Sequence, residues 1–235
     1  MHRERNQDPA AFAERRQSLL ALIAAEVRET AQWTGRTQLS DRVRAAMAKV
    51  PRHLFVPRGE IDFAYENRPL SIGYGQTISQ PYIVAVMSEL LDLEPGDRVL
   101  EIGTGCGYQT AVLAELAAHV FSIEMVEPLF RDAAERLGRL GYGNVSLRCG
   151  DGYRGWPEEA PFDAVIATAA PERVPDALVR QLKPGGRLVV PVGLARETQM
   201  LLRCVREVDG RLTSENKLPV AFVPMVPADE LPRLR

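Results

Sequence analysis

The sequence has few of the residues that build metal centres or disulfide frameworks. Its 235 residues include three cysteines and three histidines, and no histidine stands at metal-ligand spacing from a cysteine or another histidine. Cys106, Cys149 and Cys204 are widely separated and odd in number, which favours a reducing compartment over a disulfide-linked fold. We therefore expect a cytoplasmic protein without a bound metal ion.

Excess charge of one sign and long apolar runs are also lacking. The 29 basic and 31 acidic residues leave a net charge of −2, which gives no bulk attraction to nucleic acid. No apolar run approaches the ~20 residues of a membrane span, and no apolar segment of the kind found in secretory signals follows the first charged residues. We expect a soluble monomer that binds neither nucleic acid nor membranes.

Short apolar runs alternate with helical patterns between residues 99 and 192. This alternation is typical of parallel strands joined by right-handed crossover helices. From Gln199 onward strand patterns follow one another without helices, and Asp209-Gly210 indicates a hairpin between two of them. We predict an α/β fold with a doubly wound, Rossmann-like sheet, mostly parallel but with antiparallel carboxyl-terminal strands.

The amino-terminal part of the chain predicts helices. One begins at Asp8-Pro9, and a second begins after Ser40, which is well placed to cap it. A polar loop is expected between them, over residues 32–40. Residues 68–81 are too apolar for a floppy loop and too rich in glycine and proline for a regular element, so they suit a binding loop. We expect residues 1–70 to form a helical extension packed on a domain that spans residues 71–235.

The centre of the pattern is a predicted strand followed by a glycine turn, DRVLEIGTGCG over residues 97–107. Glycines at a strand-to-helix turn let the chain turn sharply and let a ligand approach bare main chain. The spacing is GxGxG, and Tyr108 stands where the dinucleotide fingerprint needs its third glycine, which argues against a nicotinamide oxidoreductase. Glu101 suits a ligand with amine or hydroxyl donors better than a pyrophosphate, which its charge would repel.

Further polar residues follow the neighbouring predicted strands. Glu124 lies 21 residues after Gly103 and is expected to accept both hydroxyls of a ribose. Asp151 would receive an adenine amino group or simply form an Asx turn, and the sequence favours neither. Thr168 ends the next strand at the expected floor of the cleft, where small residues leave room for a ligand or pack the strand ends.

Ser79 has two competing interpretations. It stands just before Pro81, where a serine often accepts an amide hydrogen bond at the start of a helix, and position alone favours that capping role. The alternative is a hydroxyl donor held beside the bound ligand.

The glycine turn with Glu101 resembles motif I of the S-adenosylmethionine-dependent methyltransferases. A more specific resemblance covers roughly residues 50–225, where five segments occur in the order and spacing of the protein-L-isoaspartate O-methyltransferases: PLSIGYGQTISQP, EIGTGCGYQT, GDG, APFDAVIATAAP and LKPGGRLVVPVG. The stretch from Gly73 to Pro81 is the most diagnostic of these, since methyltransferases in general lack it.

This resemblance implies methyl transfer from S-adenosylmethionine to the α-carboxylate of isoaspartyl residues in damaged proteins and peptides. It implies that Ser79 is catalytic. The cofactor-binding residues we predict are Gln80, Glu101, Gly103, Thr104, Gly105, Glu124, Met125, Asp151, Gly152 and Thr168. Two alternatives stay open: a methyltransferase of the same fold acting on another substrate, and a non-catalytic cofactor-binding adaptor.

Overall fold

The computed structural model describes residues 9–228. Within them the chain forms a two-stranded sheet and a seven-stranded sheet. The strands are β1 (Leu70–Gly73), β2 (Gln76–Ile78), β3 (Arg98–Ile102), β4 (His119–Glu124), β5 (Val145–Cys149), β6 (Phe162–Ala167), β7 (Leu182–Val192), β8 (Gln199–Arg206) and β9 (Leu212–Val220). The α-helices are α1 (Pro9–Glu29), α2 (Ala31–Thr34), α3 (Asp41–Lys49), α4 (Pro81–Leu90), α5 (Tyr108–Ala114), α6 (Glu127–Arg139) and α7 (Asp176–Arg180). Single 3-10 turns occur at Arg52–Leu54, Arg58–Phe63, Gly152–Arg154 and Pro157–Glu159.

The large sheet has the strand order β5-β4-β3-β6-β7-β8-β9. The first five of these strands pair in parallel, and β8 and β9 complete the sheet as an antiparallel hairpin. The predicted fold is therefore confirmed, including the switch to antiparallel pairing after β7. No helix within residues 9–228 is both long enough and apolar enough to cross a membrane.

Strand β3 is the middle one of the five parallel strands, and its side chains are buried on both faces of the sheet. Val99 belongs to the hydrophobic cluster on the side of α1, α3 and α4, whereas Leu100 and Ile102 belong to the cluster on the other side. A strand covered on both faces needs a continuous apolar run, and this strand has one that only Glu101 interrupts.

The predicted amino-terminal helices are present in the structure. Phe12, Ile23 and Val27 of α1 lie in the same hydrophobic cluster as the helices that cover the large sheet. Ser40 caps α3, since its hydroxyl accepts a hydrogen bond from the Val43 amide at 3.3 Å. Because the two predicted units share this cluster, the boundary at residues 70/71 stays a prediction.

Two local expectations need correction. The predicted loop over residues 32–40 begins with the short helix α2, which Gly35 ends in the left-handed conformation at φ 73°. Residues 68–81 are more regular than expected, since β1 and β2 form a hairpin there. Its turn places Tyr74 at φ 53° and Gly75 at φ 69°, and two successive positive φ values are characteristic of a tight hairpin turn. In the sequence, the Gly-Tyr-Gly run at residues 73–75 is compatible both with a hairpin turn and with an irregular loop.

Candidate active site

A cavity opens where β3, β4 and β6 end. These strands are neighbours in the order β4-β3-β6, and they end in register, with Ile102 opposite both Ile123 and Ala167. The strand order reverses at this point, since β4 and β5 lie on one side of β3, and β6 and β7 lie on its other side. Open α/β sheets bind ligands at such a switch point. The predicted residues that line the cavity are Ser79, Gly103, Thr104, Gly105, Glu124, Met125, Gly152 and Thr168.

The glycine turn closes one wall of this cavity with bare main chain. Gly103 has φ 97° and Gly105 has φ 54°, values that residues with a side chain rarely adopt. A Cβ atom on Gly103 would lie 2.4 Å from Oγ1 of Thr168, which donates hydrogen bonds to the carbonyls of Gly103 and Ile102 at 2.7 and 3.1 Å. Gly152 also lines the cavity, and a Cβ atom on it would lie 2.4 Å from Cγ2 of Ile102. Both positions therefore require glycine, because a Cβ atom would clash with Thr168 or with Ile102.

Glu124 stands at the cavity wall with its carboxylate held by main chain. Oε2 accepts from the Gly105 amide at 2.7 Å, and Oε1 accepts from the Val126 amide at 2.9 Å. Burial raises the pKa of this carboxyl above its usual range, and these amides oppose the shift by stabilising the charged form. Because a carboxylate offers about four acceptor sites, each oxygen keeps a lone pair for a ligand hydroxyl.

Glu101 lies under the glycine turn and is fully buried. Its Oε2 accepts hydrogen bonds from Thr110 Oγ1 at 2.5 Å and from Ser122 Oγ at 2.6 Å. Within the described chain its Oε1 has no hydrogen-bond partner. The side chain thus supports the turn from behind, and its contact with a cofactor stays a prediction.

We expect the Glu101→Gln variant to gain stability over the wild type as the pH rises. Burial raises the pKa of Glu101 from 4.5 to about 8, so the folded protein favours the protonated carboxyl. The stabilisation that this preference provides is complete below the unfolded pKa and is lost as the pH rises toward 8, with a slope of up to about 1.4 kcal/mol per pH unit. Urea unfolding of both proteins from pH 5 to 8.5 measures the difference. Parallel stability curves would show that Glu101 does not titrate in this range.

Ser79 lies in the short link between β2 and α4. The first residue outside α4 is Gln80, and no side chain caps this helix. The capping role that position alone favours is therefore wrong, and the hydroxyl of Ser79 is not used by the helix. Ser79 and Thr168 line both this cavity and a second one, which is bordered by Pro219 and Val220 at the end of β9 and by Phe222 just after it. Ser79 thus stands where the two cavities adjoin.

Gln80 and Asp151 are not among the residues that line the first cavity. Gln80 lines the second cavity, and its Nε2 donates to Oε1 of Glu26 on α1 at 3.4 Å. Asp151 forms the Asx-type turn that was one of its two interpretations, since its Oδ1 accepts from the Tyr153 amide at 2.9 Å. Its role toward adenine stays a prediction, as does the cofactor role of Gln80.

Residues 29–230 match the family described as protein-L-isoaspartate(D-aspartate) O-methyltransferase. The chain belongs to this family. Its curated relatives include protein-L-isoaspartate O-methyltransferase 2 of Polaromonas sp., which is 56% identical over 86% of this chain and 96% of that protein. Protein-L-isoaspartate O-methyltransferase 1 of Cupriavidus necator is 54% identical over 92% of this chain and 83% of that protein.

Solved structures agree with this family membership. One, a protein-L-isoaspartate O-methyltransferase, superposes with a TM-score of 0.80 at 30% identity and covers 91% of this chain and 66% of the other. Another, a Plasmodium falciparum protein solved in complex with S-adenosyl-L-homocysteine, shares the fold with a TM-score of 0.70 at 24% identity. That match covers 87% of this chain and 96% of the other.

Several residues of the cavity wall escaped sequence reasoning. The carboxyl-terminal residues 223–226 line it because the Ala170 amide donates to the Val223 carbonyl at 2.9 Å and the Met225 amide donates to the Ala170 carbonyl at 2.8 Å. Gln76 and Thr77 of β2 also line it, as do Ile123 and Val126 on either side of Glu124. Of these residues, only Ile123 and Val126 could have been expected from the sequence. They lie beside Glu124, the acidic residue that ends β4, and so are expected to face the same cleft. Within residues 9–228 no group of three or more histidine, cysteine, aspartate or glutamate side chains is placed to hold a metal ion.

Proposed function

We propose that this protein methylates the free α-carboxylate of L-isoaspartyl residues in damaged proteins and peptides, with S-adenosylmethionine as the methyl donor. One observation carries the proposal: Ser79 stands between the glycine-turn cavity and a second cavity, with its hydroxyl free of the helix that follows. Membership of the isoaspartate methyltransferase family and the high identity of its curated relatives support the same conclusion.

The residues of the first cavity fit the cofactor. Gly103, Gly105 and Gly152 line this cavity, and residues without a side chain let a ligand come close to the main chain. Glu124 offers acceptor sites for the two hydroxyls of a ribose, and Ile123 and Met125 give apolar surface for an adenine ring. The Plasmodium falciparum structure with S-adenosyl-L-homocysteine supports this assignment.

The reaction needs no general base from the protein. When bound, S-adenosylmethionine would supply an electrophilic methyl group for a carboxylate oxygen, and its sulfur would leave as the neutral thioether of S-adenosylhomocysteine. An α-carboxyl has a pKa near ~3.5, so at neutral pH the nucleophile is already ionised. The protein therefore contributes orientation and exclusion of water, which a hydroxyl and backbone amides can provide. This fits a cavity that is lined by Ser79, Thr168 and glycines.

The second cavity suits the substrate. It begins at Ser79 and Thr168 and continues along Pro219, Ala221 and Phe222, mostly as apolar and small side chains. A peptide lying there would bring one carboxylate to Ser79 while its neighbouring residues contact the wall. Methoxide is a better leaving group than the oxide of a carboxylate, so the following backbone amide nitrogen attacks the ester carbonyl, closes a succinimide and releases methanol. Hydrolysis of the succinimide gives partly normal aspartate.

We propose further that the protein acts as a monomer in the cytoplasm. The two cavities adjoin at Ser79 and Thr168, so one chain brings the proposed cofactor and substrate sites together. Cys106, Cys149 and Cys204 are free thiols, as expected in a reducing compartment.

Transfer of a tritiated methyl group to an isoaspartyl peptide, beside the same peptide with normal aspartate, tests the function. We expect the isoaspartyl peptide to be labelled and its twin to remain unlabelled. Binding of S-adenosylhomocysteine without labelling of any peptide would favour the adaptor alternative. Equal labelling of the two peptides would favour a methyltransferase with a different substrate.

A further inference from the structure

Arg52 is unusual among the described charged residues because its side chain is fully buried. It lies in the 3-10 turn Arg52–Leu54, outside the segments assigned to the cofactor. Burial lowers the pKa of its guanidinium, because the charged form loses hydration. The groups that act on its charge are Tyr108, Cys106 and Tyr65, none of them an acidic residue, and within the described residues its Nε and Nη1 atoms have no hydrogen-bond partner.

The guanidinium contacts both the Ser79 link and the wall of the first cavity. Its Nη2 donates to the main-chain carbonyl of Ser79 at 2.8 Å and lies 3.5 Å from the carbonyl of Arg68. Its Cζ lies 4.9 Å from the ring centroid of Tyr108, the first residue of α5, which follows the glycine turn and lines the first cavity. Arg52 therefore joins the Ser79 link to the wall that the cofactor would contact.

The Ser79 link needs this support for a physical reason. Strand β2 ends at Ile78 and α4 begins at Pro81, so Ser79 lies between a sheet ladder and a helix and belongs to neither. The Gln80 carbonyl is already bonded by the Val84 amide of α4 at 3.1 Å, and Arg52 supplies the corresponding bond to the Ser79 carbonyl. Fixing that carbonyl fixes the main chain from which the hydroxyl projects.

Stability alone does not account for an arginine at this position. A buried charge without a counter-ion is costly, because the charged form loses its hydration. We propose that Arg52 is a positioning residue for methyl transfer, which holds Ser79 in the orientation that the substrate carboxylate needs. The inference rests on the proposed function and adds a residue to it.

A double-mutant cycle tests the inference. We expect Arg52→Met to lower kcat for an isoaspartyl peptide at least tenfold, while the Kd of S-adenosylhomocysteine changes less than threefold. In the Ser79→Ala background the same substitution should lower kcat less than twofold, because no hydroxyl is left to position. A loss that multiplies in full with that of Ser79→Ala would assign Arg52 a structural role and overturn the inference. Unchanged kcat in Arg52→Met would overturn it as well.

Arg203→Met is the matched control. Arg203 also donates to a main-chain carbonyl of the α4 region, that of Leu90 at the other end of the helix, at 2.9 Å from its Nε. It lies outside both cavities, so its loss is expected to leave kcat unchanged. If Arg52→Met does not fold, Arg52→Lys enters the same cycle, since it retains a donor and the charge.

Hydrogen exchange provides a readout that does not depend on activity. Arg52→Met is expected to speed amide exchange at residues 78–80 and at Tyr82, while Arg203→Met leaves these amides unchanged. If exchange there matches the wild type, Arg52 does not hold the link and the inference fails. A wild-type protein that labels no isoaspartyl peptide would instead contradict the proposed function, and the exchange result would still report on the contact between Arg52 and Ser79.

Discussion

The Glu124→Ala variant should bind S-adenosylmethionine and S-adenosylhomocysteine roughly 10²- to 10⁴-fold more weakly than the wild type. Two hydrogen bonds from ribose hydroxyls to a charged acceptor contribute about 1.5–3 kcal/mol each, and every 1.4 kcal/mol is about tenfold in affinity. The substitution also leaves the amides of Gly105 and Val126 without the oxygens that they contact at 2.7 and 2.9 Å. Isothermal titration calorimetry with S-adenosylhomocysteine measures the loss directly.

Glu127→Ala is the control for this variant. Glu127 begins α6 three residues further on, and its exposed carboxylate pairs with Arg131 at 2.5 Å. Its removal changes the net charge as Glu124→Ala does, but a surface pair of this kind contributes little. Cofactor affinity should therefore stay near that of the wild type. An equal loss in both variants would assign the effect to charge and remove Glu124 from the site.

The Glu124 carboxylate also predicts that cofactor affinity depends on pH. Burial raises the pKa of Glu124, so it takes up a proton at a higher pH than a free glutamate does. Protonation removes an acceptor for one hydroxyl, and cofactor affinity should therefore fall as the pH is lowered through this raised pKa. The loss should be absent in Glu124→Ala, which has no group there to titrate.

The local pattern of the sequence was enough to place the glycine turn and Glu124. Both lie at the ends of buried strands, and the order of apolar runs determines which strand ends meet. Ser79 was harder, because its position beside Pro81 supports capping as well as catalysis. Only the structure shows that α4 has no side-chain cap and that the link adjoins two cavities.

Glu101 and Arg52 show where local pattern stops being informative. Glu101 sits between Leu100 and Ile102, which face one side of the sheet, so alternation along the strand turns its side chain to the other side, under the turn. Arg52 has no signal of this kind. Its contacts with Arg68, Ser79 and Tyr108 join segments distant in sequence, and they depend on how the amino-terminal helices pack on α4 and α5.

Ser79→Ala should lower turnover of an isoaspartyl peptide by about tenfold to a hundredfold and leave cofactor affinity nearly intact. A hydrogen bond to a charged acceptor contributes about 1.5–3 kcal/mol, which corresponds to about one to two decades in rate when the bond is expressed in the transition state. Because no side chain caps α4, the loss of this hydroxyl should not cost the ~1 kcal/mol of a missing helix cap. The melting temperature should therefore stay close to that of the wild type.

Ser71→Ala separates the effect of the site from that of the substitution. Ser71 lies in β1 opposite Thr77, exposed to solvent and outside the residues that line the two cavities. Its variant should keep wild-type turnover and stability, whereas Ser79→Thr, which retains a hydroxyl, should recover part of the activity lost in Ser79→Ala. A fully active Ser79→Ala protein with a lowered melting temperature would mean that the hydroxyl stabilises the fold and that another group orients the carboxylate. The family membership would stand, and Thr168, which borders both cavities, would be the next hydroxyl to replace.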